Sequence, residues 1–376
     1  MPAGGAHPLY ELAALFLRLG FTAFGGPAAH IALMEAEVVR RRAWMTREEF
    51  LDYLAAVNLI PGPNSTELAL YVGHSRGGWP GLFVAGAAFI VPAAAMVTAI
   101  AWAYVRYRTL PQAAGLLYGV KPVVVAVVAQ ALWGFGGTTL RSAGRVALAA
   151  GAVIAAALGV HELIVLGGAA AIMAAAWLFK RPRRKPVEGV ALAIAAVTVQ
   201  VPFGLPALFL SCLKIGAVLF GSGYVLLALL NAEFVARYGW LTEQQLLDAA
   251  AVGLITPGPV FTTATFVGYI LGGPVAGVVA TIAIFLPAFV LVAASIPLLR
   301  RLKRSALAAA VLQGVAIGSV ALMSIVAVRL TRAALVDPLT VVIGAASLVA
   351  LVRYRVNATW LIVAGAAAGL VATVGH

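Results

Sequence analysis

The sequence predicts an all-α integral membrane protein built from two homologous repeats of transmembrane helices. Hydrophobic residues make up 63% of the 376 residues and charged residues 10%, whereas a soluble globular protein needs roughly 25% charged residues to cover its surface. Apolar stretches of about 20 residues, the length that crosses a bilayer, recur along the whole chain. One pattern of glycines, prolines and charges also occurs twice, which predicts the duplication.

The apolar stretches define the predicted helices, and a basic segment at 180–186 near the centre of the chain is the predicted linker. We therefore expect an N-terminal repeat at 9–179, a connecting segment at 180–203 and a C-terminal repeat at 204–373. Continuous helices are predicted at 9–34, 80–106, 111–134, 144–160, 161–179, 187–201, 204–232, 274–299, 306–328, 336–352 and 357–373, and interrupted ones at 48–73 and 244–271.

The repeat rests on one constant offset of 196 residues. It aligns charges and glycines, whereas hydrophobicity alone would align only aliphatic residues. Duplicated membrane domains with interrupted helices in matching places are typical of secondary transporters, whose substrate sites lie near the midplane. The matched pairs are Arg18-Leu19-Gly20 with Lys214-Ile215-Gly216, Phe24-Gly25 with Phe220-Gly221, Glu37 with Glu233, Trp44-Met45-Thr46 with Trp240-Leu241-Thr242, Asp52 with Asp248, and Pro61-Gly62-Pro63 with Pro257-Gly258-Pro259.

The relative orientation of the two repeats has two readings. The loop at 40–47 is strongly basic and its mate at 233–243 is not, and since basic loops stay cytoplasmic, this difference favours inverted repeats. The single segment 187–201 inverts the second repeat if each repeat crosses the membrane an even number of times. If both Pro-Gly-Pro stretches are re-entrant, each repeat crosses five times and the parity fails.

The net charge of +13 comes from 26 basic against 13 acidic residues. The basic residues cluster in short loops, without interleaved aromatics, so we expect no nucleic-acid partner. A single cysteine, Cys212, excludes an intrachain disulfide and a cysteine-based metal site. The N-terminus lacks the basic region of a signal peptide, so the first apolar segment is predicted to be a membrane helix.

The two Pro-Gly-Pro elements are the first candidate substrate site. Proline stops the preceding helix and suits the first turn of the next one, and a helix start with unpaired N–H groups attracts anions. A simple kink is the alternative, but two copies at matching positions favour a functional role. The predicted interruptions are Pro61, Gly62, Pro63, Pro257, Gly258 and Pro259, and the neighbouring donors are Asn64, Ser65, Thr66, Thr262 and Thr263.

Glycine clusters in the first helix of each repeat are the second candidate. Gly25-Gly26-Pro27 and Gly221-Ser222-Gly223 would let a ligand or another backbone approach closely, although tight helix packing explains them equally well. His30 follows the first cluster and has Leu226 as its counterpart. It is a candidate for binding the anion or carrying protons, and a packing role is the alternative.

Three basic residues within apolar segments are predicted to attract the anion. Arg18 and Lys214 occupy equivalent positions in the repeats, and Lys121 precedes Pro122 in an apolar run. A cation inside the membrane costs about 2.5–3.5 kcal/mol and usually marks function or a partner. Snorkelling of the side chain to the membrane surface is the alternative.

Three acidic residues are candidates for proton coupling, because membrane carboxylates serve that role in transporters. Glu67 lies one turn beyond Pro63, and Asp52 and Asp248 match between the repeats. For the two aspartates, a capping or ion-pair role near the interface is the alternative. The sequence contains no catalytic or cofactor motif, so we expect neither enzymatic activity nor a cofactor.

These motifs resemble the chromate ion transporter (CHR) family in its long, two-domain form. The resemblance implies about thirteen membrane segments in two oppositely oriented halves. It also implies chromate export across the bacterial cytoplasmic (inner) membrane, driven by the membrane potential or proton gradient and conferring chromate resistance. The motifs are Phe24-Gly25-Gly26-Pro27-Ala28-Ala29-His30, Trp44-Met45-Thr46, Pro61-Gly62-Pro63-Asn64, Gly73 followed by Gly77-Gly78-Trp79-Pro80-Gly81, Phe220-Gly221-Ser222-Gly223-Tyr224, Trp240-Leu241-Thr242, Pro257-Gly258-Pro259 and Gly268-Tyr269-Ile270-Leu271-Gly272-Gly273.

One departure separates the repeats, since Val260-Phe261 replaces Asn64-Ser65 and puts two equivalent binding sites in doubt. Sulfate, a tetrahedral dianion like chromate, is the alternative substrate. A membrane-embedded enzyme acting on a phosphorylated lipid is a remote alternative. The lipid bilayer is the expected environment of the protein, and the sequence leaves open whether the protein forms a homodimer. The expected mechanism is alternating access around a site at the midplane.

Overall fold

The computed structural model describes residues 8–107, 110–179, 202–220, 223, 225–298 and 305–374. All regular elements in these ranges are helical. The first half contains α1 (Pro8–Thr22), α2 (Gly26–Glu35), α3 (Arg47–Val57), α4 (Asn64–Tyr107), α5 (Pro111–Thr139), α6 (Ala143–Ala157) and α7 (Glu162–Phe179). The second contains α8 (Leu205–Val218), α9 (Val225–Leu230), α10 (Glu243–Ile255), α11 (Thr263–Ser295), α12 (Ala306–Ala334), α13 (Pro338–Arg353) and α14 (Ala358–Val374).

Five segments in the described ranges are long and apolar enough to cross a membrane. Shorter apolar helices, including α6, α8, α13 and α14, lie beside them. These segments confirm a multi-pass, all-α membrane protein. The predicted linker and the helix at 187–201 lie outside the described residues. The five spans are Asn64–Tyr107, Gln112–Thr139, Glu162–Phe179, Val260–Ser295 and Ala306–Ala334.

The same order of helices occurs in both halves. The helix α5 begins at 111 and ends at 139, and α12 begins at 306 and ends at 334, an offset of 195 at both ends. Each half has a π-helical turn, at Ala36–Arg41 and at Asn231–Arg237. The helices that follow these turns, α3 and α10, both start with a capping box, in which Thr46 or Thr242 exchanges hydrogen bonds with the third residue of the helix.

The structure corrects two of the predicted helix boundaries. Residues 9–34 and 204–232 were each predicted as one helix, but α1 ends at Thr22 and α8 ends at Val218. The first interruption has a clear cause, because Gly25 and Gly26 both adopt positive φ angles, 99° and 74°. That conformation is favourable for glycine and incompatible with a continuing right-handed helix.

The long helices α4 and α11 each fold back on themselves at a glycine pair. Gly78 has φ 60° and ψ −152°, and its counterpart Gly273 has φ 75° and ψ −166°. In α4 the two arms run antiparallel, since Gly73 touches the backbone of Gly81 and a side chain at Gly86 would collide with Leu70. Each half therefore contains a helical hairpin whose first arm follows the Pro-Gly-Pro stretch.

The two halves are interleaved. The helix α5 of the first half packs against α13 and α14 of the second, and α12 packs against α6 and α7 of the first. Small residues allow this close approach: Gly119 meets the backbone of Gly365 and Gly369, and Gly314 meets Ala169 and Ala170.

The equivalent helices α5 and α12 run in opposite directions. Gln313, near the start of α12, donates to the carbonyl oxygen of Thr139 at the end of α5, at 3.3 Å. Tyr118, near the start of α5, donates to Asp337, which follows the end of α12, at 2.6 Å. Each end of α5 therefore lies beside the opposite end of α12.

Candidate functional site

The Pro-Gly-Pro stretches separate helices in both halves. The helix α3 ends at Val57 and α4 begins at Asn64, while α10 ends at Ile255 and a short 3₁₀ turn precedes α11. Gly62 and Gly258 have φ angles of 144° and 90°. A side chain at Gly258 would also collide with Ala93, 2.7 Å away. Conformation and space therefore both favour glycine at Gly258.

The interruptions of one half bind those of the other through backbone hydrogen bonds. The N–H of Gly62 donates to the carbonyl of Leu219 at 2.8 Å, and the N–H of Gly258 donates to the carbonyl of Ala23 at 3.0 Å. Each acceptor lies where the first helix of the opposite half ends. We call this pair of hydrogen bonds the central clasp. It joins all four interruptions at the contact between the halves.

A very small cavity lies beside the clasp. Its volume is about 10 Å³, close to what a single water molecule needs, so this point is closed to any larger ligand in the present conformation. It brings together predicted site residues from both halves. The lining residues are Pro27, Gly62, Pro63, Asn64, Ser65, Gly223, Val260 and Phe261.

A larger cavity of about 290 Å³ adjoins the same interruptions. Gly25 and Gly26 of the first half and Gly258 of the second all line it. The rest of the polar lining comes from Gln130 of α5, from Thr256 at the end of α10, and from the loop between α13 and α14 with the first turn of α14. None of the described lining residues is acidic. The other lining residues are Ala29, Gln130, Gly253, Leu254, Thr256, Val260, Leu351, Arg355, Val356, Asn357, Ala358 and Thr359.

Both predicted donors at the second Pro-Gly-Pro stretch already have backbone partners. The hydroxyls of Thr262 and Thr263 donate to the carbonyls of Pro259 and Val260, both at 2.8 Å. In the first half, the amide of Asn64 donates to the side chain of Asn58 at 3.2 Å. The hydroxyl of Thr66 is buried, and among the described residues it has no hydrogen-bond partner.

His30 is buried beside the interruption of the first helix. Its Nε2 lies 2.9 Å from the carbonyl oxygen of Ala23, the atom that also accepts from Gly258, and its ring contacts Phe89 edge-on. The structure thus gives His30 a place in the packing around the clasp. Gly221 and Ser222, also predicted as site residues, lie outside the described residues.

Glu67 lies next to Gly62 of the first Pro-Gly-Pro stretch. Its side chain is fully buried, and its carboxyl group occupies the space that a side chain at Gly62 would need. Among the described residues, none hydrogen-bonds to either carboxyl oxygen. An ionised carboxylate without a partner would be very costly there.

Comparison with known proteins identifies the family. The sequence model described as chromate transporter matches residues 10–177 and 206–370. The chain belongs to the chromate transporter family. The chromate transport protein of Cupriavidus metallidurans is 31% identical, covering 98% of this chain and 96% of that protein. The probable chromate transport protein of Synechococcus elongatus is 30% identical, covering 91% and 90%.

A further member, the chromate transport protein of Pseudomonas aeruginosa, is 32% identical over 74% of this chain and 70% of its own length. These relatives carry the names of transport proteins, which confirms the expectation of a transporter rather than an enzyme. No solved structure matches the chain.

In this chromate transporter family member, the two equivalent cations are ion-paired rather than open to the cavities. Arg18 lies 2.8 Å from Glu37, and Lys214 pairs with both Glu233 and Glu162. The acids Glu37 and Glu233 are themselves equivalent, and each sits in a π-helical turn. Whether these cations also attract the anion stays a prediction.

The third predicted cation, Lys121, lines neither cavity beside the clasp. It lines a separate cavity of about 400 Å³. Its ammonium group is 3.4 Å from Asp248, which also accepts a hydrogen bond from Tyr104 at 2.9 Å. Asp52, the counterpart of Asp248, is exposed. The two matched aspartates therefore occupy different environments.

Beside this cavity, in the loop before α13, Asp337 accepts hydrogen bonds that favour its charged form. The hydroxyl of Tyr118 and the backbone N–H of Thr340 hold the pKa of the Asp337 carboxyl below its ordinary value. The carboxylate also caps the start of α13.

Sequence reasoning missed Arg355 and Asn357, which line the 290 Å³ cavity. Both lie in the short loop between two apolar helices, away from the duplicated motifs. One signal was present, since an asparagine directly before an apolar run is a typical helix N-cap. Its proximity to Gly25, however, depends on how the halves interleave.

The two equivalent ion pairs predict different effects on stability. The Lys214 side chain is 23% exposed and that of Glu233 2%, whereas the Arg18 side chain is 48% exposed. We expect Lys214→Met to cost about 3 kcal/mol, because the buried Glu162 loses its ammonium partner and Glu233 is left with Arg237 as its cation. Arg18→Met should cost about 1 kcal/mol or less. Thermal unfolding of the purified protein in detergent measures both.

The added substitution Glu162→Gln should recover part of the Lys214→Met loss, since it removes the carboxylate whose ammonium partner is gone. Equal destabilisation by Lys214→Met and Arg18→Met would contradict this account of the pairs.

Proposed function

We propose that this protein exports chromate from the bacterial cytoplasm by secondary active transport with alternating access, and so confers chromate resistance. Membership of the chromate transporter family supports the substrate. The central clasp carries the mechanism, because it joins interruptions from both halves beside a cavity. Secondary transporters bind substrate and coupling ions where interrupted helices of two repeats meet.

Inverted repeats are the proposed arrangement. The antiparallel course of α5 and α12 supports it, because a two-fold axis that relates antiparallel membrane helices lies in the plane of the membrane. The contacts of α4 with α11 also support it, because residues near the start of each helix meet residues near the end of the other. The hydroxyls of Tyr71 and Ser295 share a hydrogen bond of 2.5 Å, and the ring centroids of Tyr104 and Phe266 lie 5.1 Å apart. We further propose that the Pro-Gly-Pro stretches are functional breaks within re-entrant helices.

The proposed transport cycle uses the clasp as its pivot. The hydrogen bond from Gly62 to Leu219 and the one from Gly258 to Ala23 occupy equivalent positions in the two repeats. Rocking one half against the other therefore gives each hydrogen bond the surroundings that the other had. The 10 Å³ cavity is the point at which the present conformation is closed, and the 290 Å³ cavity lies next to it. A dianion in this region needs several donors to replace its water.

Chromate and sulfate have the same charge and tetrahedral shape, so the test of the proposed function includes both. Everted membrane vesicles containing the protein should accumulate labelled chromate when energised, and excess sulfate should compete. The Asn64→Leu variant should reduce uptake to near background, because it replaces a donor at the closed point with an apolar side chain.

Thr138→Val, at the exposed end of α5, is the matched control and should retain wild-type uptake. Accumulation of sulfate but not chromate would replace the proposed substrate with the alternative. If Asn64→Leu still transports both anions as the wild type does, Asn64 is not part of the site.

The inverted arrangement predicts opposite sides for equivalent positions. In a Cys212→Ser background, Arg47→Cys and Glu243→Cys place one thiol at the start of α3 and one at the start of α10. A membrane-impermeant maleimide should label Glu243→Cys in intact cells and Arg47→Cys only in everted membranes, because basic loops stay in the cytoplasm. Labelling of both from one side would mean parallel repeats.

Glu67 is the proposed proton-coupling residue. Its buried carboxyl group has no hydrogen-bond partner in the described part of the chain, which favours the protonated form. Movement of the neighbouring Gly62 during the cycle would expose it to water and allow the proton to leave. The counterpart in the second half, Thr263, cannot take this role.

Substitution of Glu67 by glutamine should therefore separate coupling from binding. The Glu67→Gln variant should lose uptake driven by a pH gradient, because the amide cannot release a proton. It should retain exchange of labelled for unlabelled chromate at equal pH. Glu48→Gln, on the exposed start of α3, is the control; retained gradient-driven uptake in Glu67→Gln would exclude Glu67 from coupling.

A further inference from the structure

The loop between α13 and α14 holds an arginine in an unfavourable backbone conformation. Arg355 has a φ angle of 53°, in the left-handed region that side chains other than glycine seldom adopt. Its counterpart in the first half, Gly159, follows α6 and has a φ angle of 84°. The first half thus has the residue that this turn favours, whereas the second half has an arginine.

The equivalence of the two loops is supported by the residue that starts the next helix. The side chain of His161 accepts from the N–H of Leu163 at 3.2 Å, and that of Asn357 accepts from the N–H of Thr359 at 2.9 Å. Both loops end in an N-cap at the same place. Arg355 therefore keeps the shape of the turn at a cost in backbone strain, which points to a role for its side chain.

The surroundings of Arg355 suit an anion. It lines the 290 Å³ cavity, where the described lining residues include no acid. The other cations discussed above, Arg18, Lys121 and Lys214, each have an acidic partner. In the part of the chain that the structure describes, no ion pair involves Arg355.

Neutral donors surround the same space. The Oδ1 of Asn357 caps α14, so the amide NH₂ of the same side chain is left to donate to a ligand. This NH₂ group lies 3.5 Å from the point that a Cβ atom at Gly25 would occupy. The helices α2 and α14 both begin at this cavity, and helix starts favour negative charge. The glycines Gly25, Gly26 and Gly258 leave the space open.

We propose that this cavity is the oxyanion-binding site of the protein, with Arg355 as its cation and the amide of Asn357 as a neutral donor. This inference rests on the proposed function and makes it more specific. The opposite half has Gly159 and His161 at these places, so it supplies no matching cation. The protein therefore holds one oxyanion on one side of the clasp rather than two.

Arg355→Gly separates binding from folding, because glycine relieves the strain at φ 53° while it removes the guanidinium. Equilibrium dialysis of the purified protein in lipid-free detergent, with labelled sulfate and with chromate, measures binding. We expect Arg355→Gly to weaken binding about 10- to 100-fold, as loss of a charged hydrogen bond does. Its thermal stability should equal or exceed that of the wild type.

Two further variants sharpen the test. Asn357→Asp keeps the cap of α14 but adds a negative charge to the cavity, so it should abolish binding and leave stability unchanged. Arg353→Gln removes a cation two residues before Arg355, which stacks on the neighbouring Tyr354 and does not line the cavity. It should bind as the wild type does.

Wild-type binding in both Arg355→Gly and Asn357→Asp would overturn this site, while oxyanion uptake by the same wild-type protein in vesicles would leave the proposed function standing. If Arg355→Gly alters only the binding of anionic phospholipid in vesicles, the guanidinium serves a lipid phosphate and the site is overturned. A wild type that neither binds nor transports an oxyanion would overturn both proposals.

Discussion

The central clasp is the constraint on which the rest of the structure depends. Each Pro-Gly-Pro stretch removes two backbone donors and ends a helix, and each first helix ends with a carbonyl that has lost its partner. In hydrocarbon, such unsatisfied groups cost several kcal/mol each. Gly62 and Gly258 supply the missing partners across the contact between the halves. The interruptions of one half are therefore stable because the other half is present.

The sequence predicted much of this arrangement, because its signals are local or repeated. The constant offset and the paired prolines are readable along the chain, and the structure places them in matching positions. It also gives the matched threonines Thr46 and Thr242 the same capping role. The division of the first helix was missed, since Gly25 and Gly26 read equally well as packing glycines. The cavity around Arg355 was also missed, because its walls come from segments of both halves that meet only after folding.

The two halves share a backbone plan but differ in chemistry. Glu67 has Thr263 as its counterpart, the buried Asp248 has the exposed Asp52, and Arg355 has Gly159. The backbone stays the same because most of the glycines, prolines and caps that set it are retained, and Arg355 adopts the positive φ angle of its counterpart Gly159. In the proposed transport cycle, a symmetric frame of this kind lets two conformations have similar energies, while unmatched side chains such as Glu67 and Arg355 have tasks in one half only.

The interleaving of α5 with α13 and α14 bears on how the molecule is made. The glycine face of α5, around Gly119, emerges from the ribosome long before the helix that covers it, which carries Gly365 and Gly369. Contacts between such distant segments form late. The first half must therefore wait in the bilayer with an uncovered face, and chains interrupted before α14 would leave that face open to other helices and to membrane quality control.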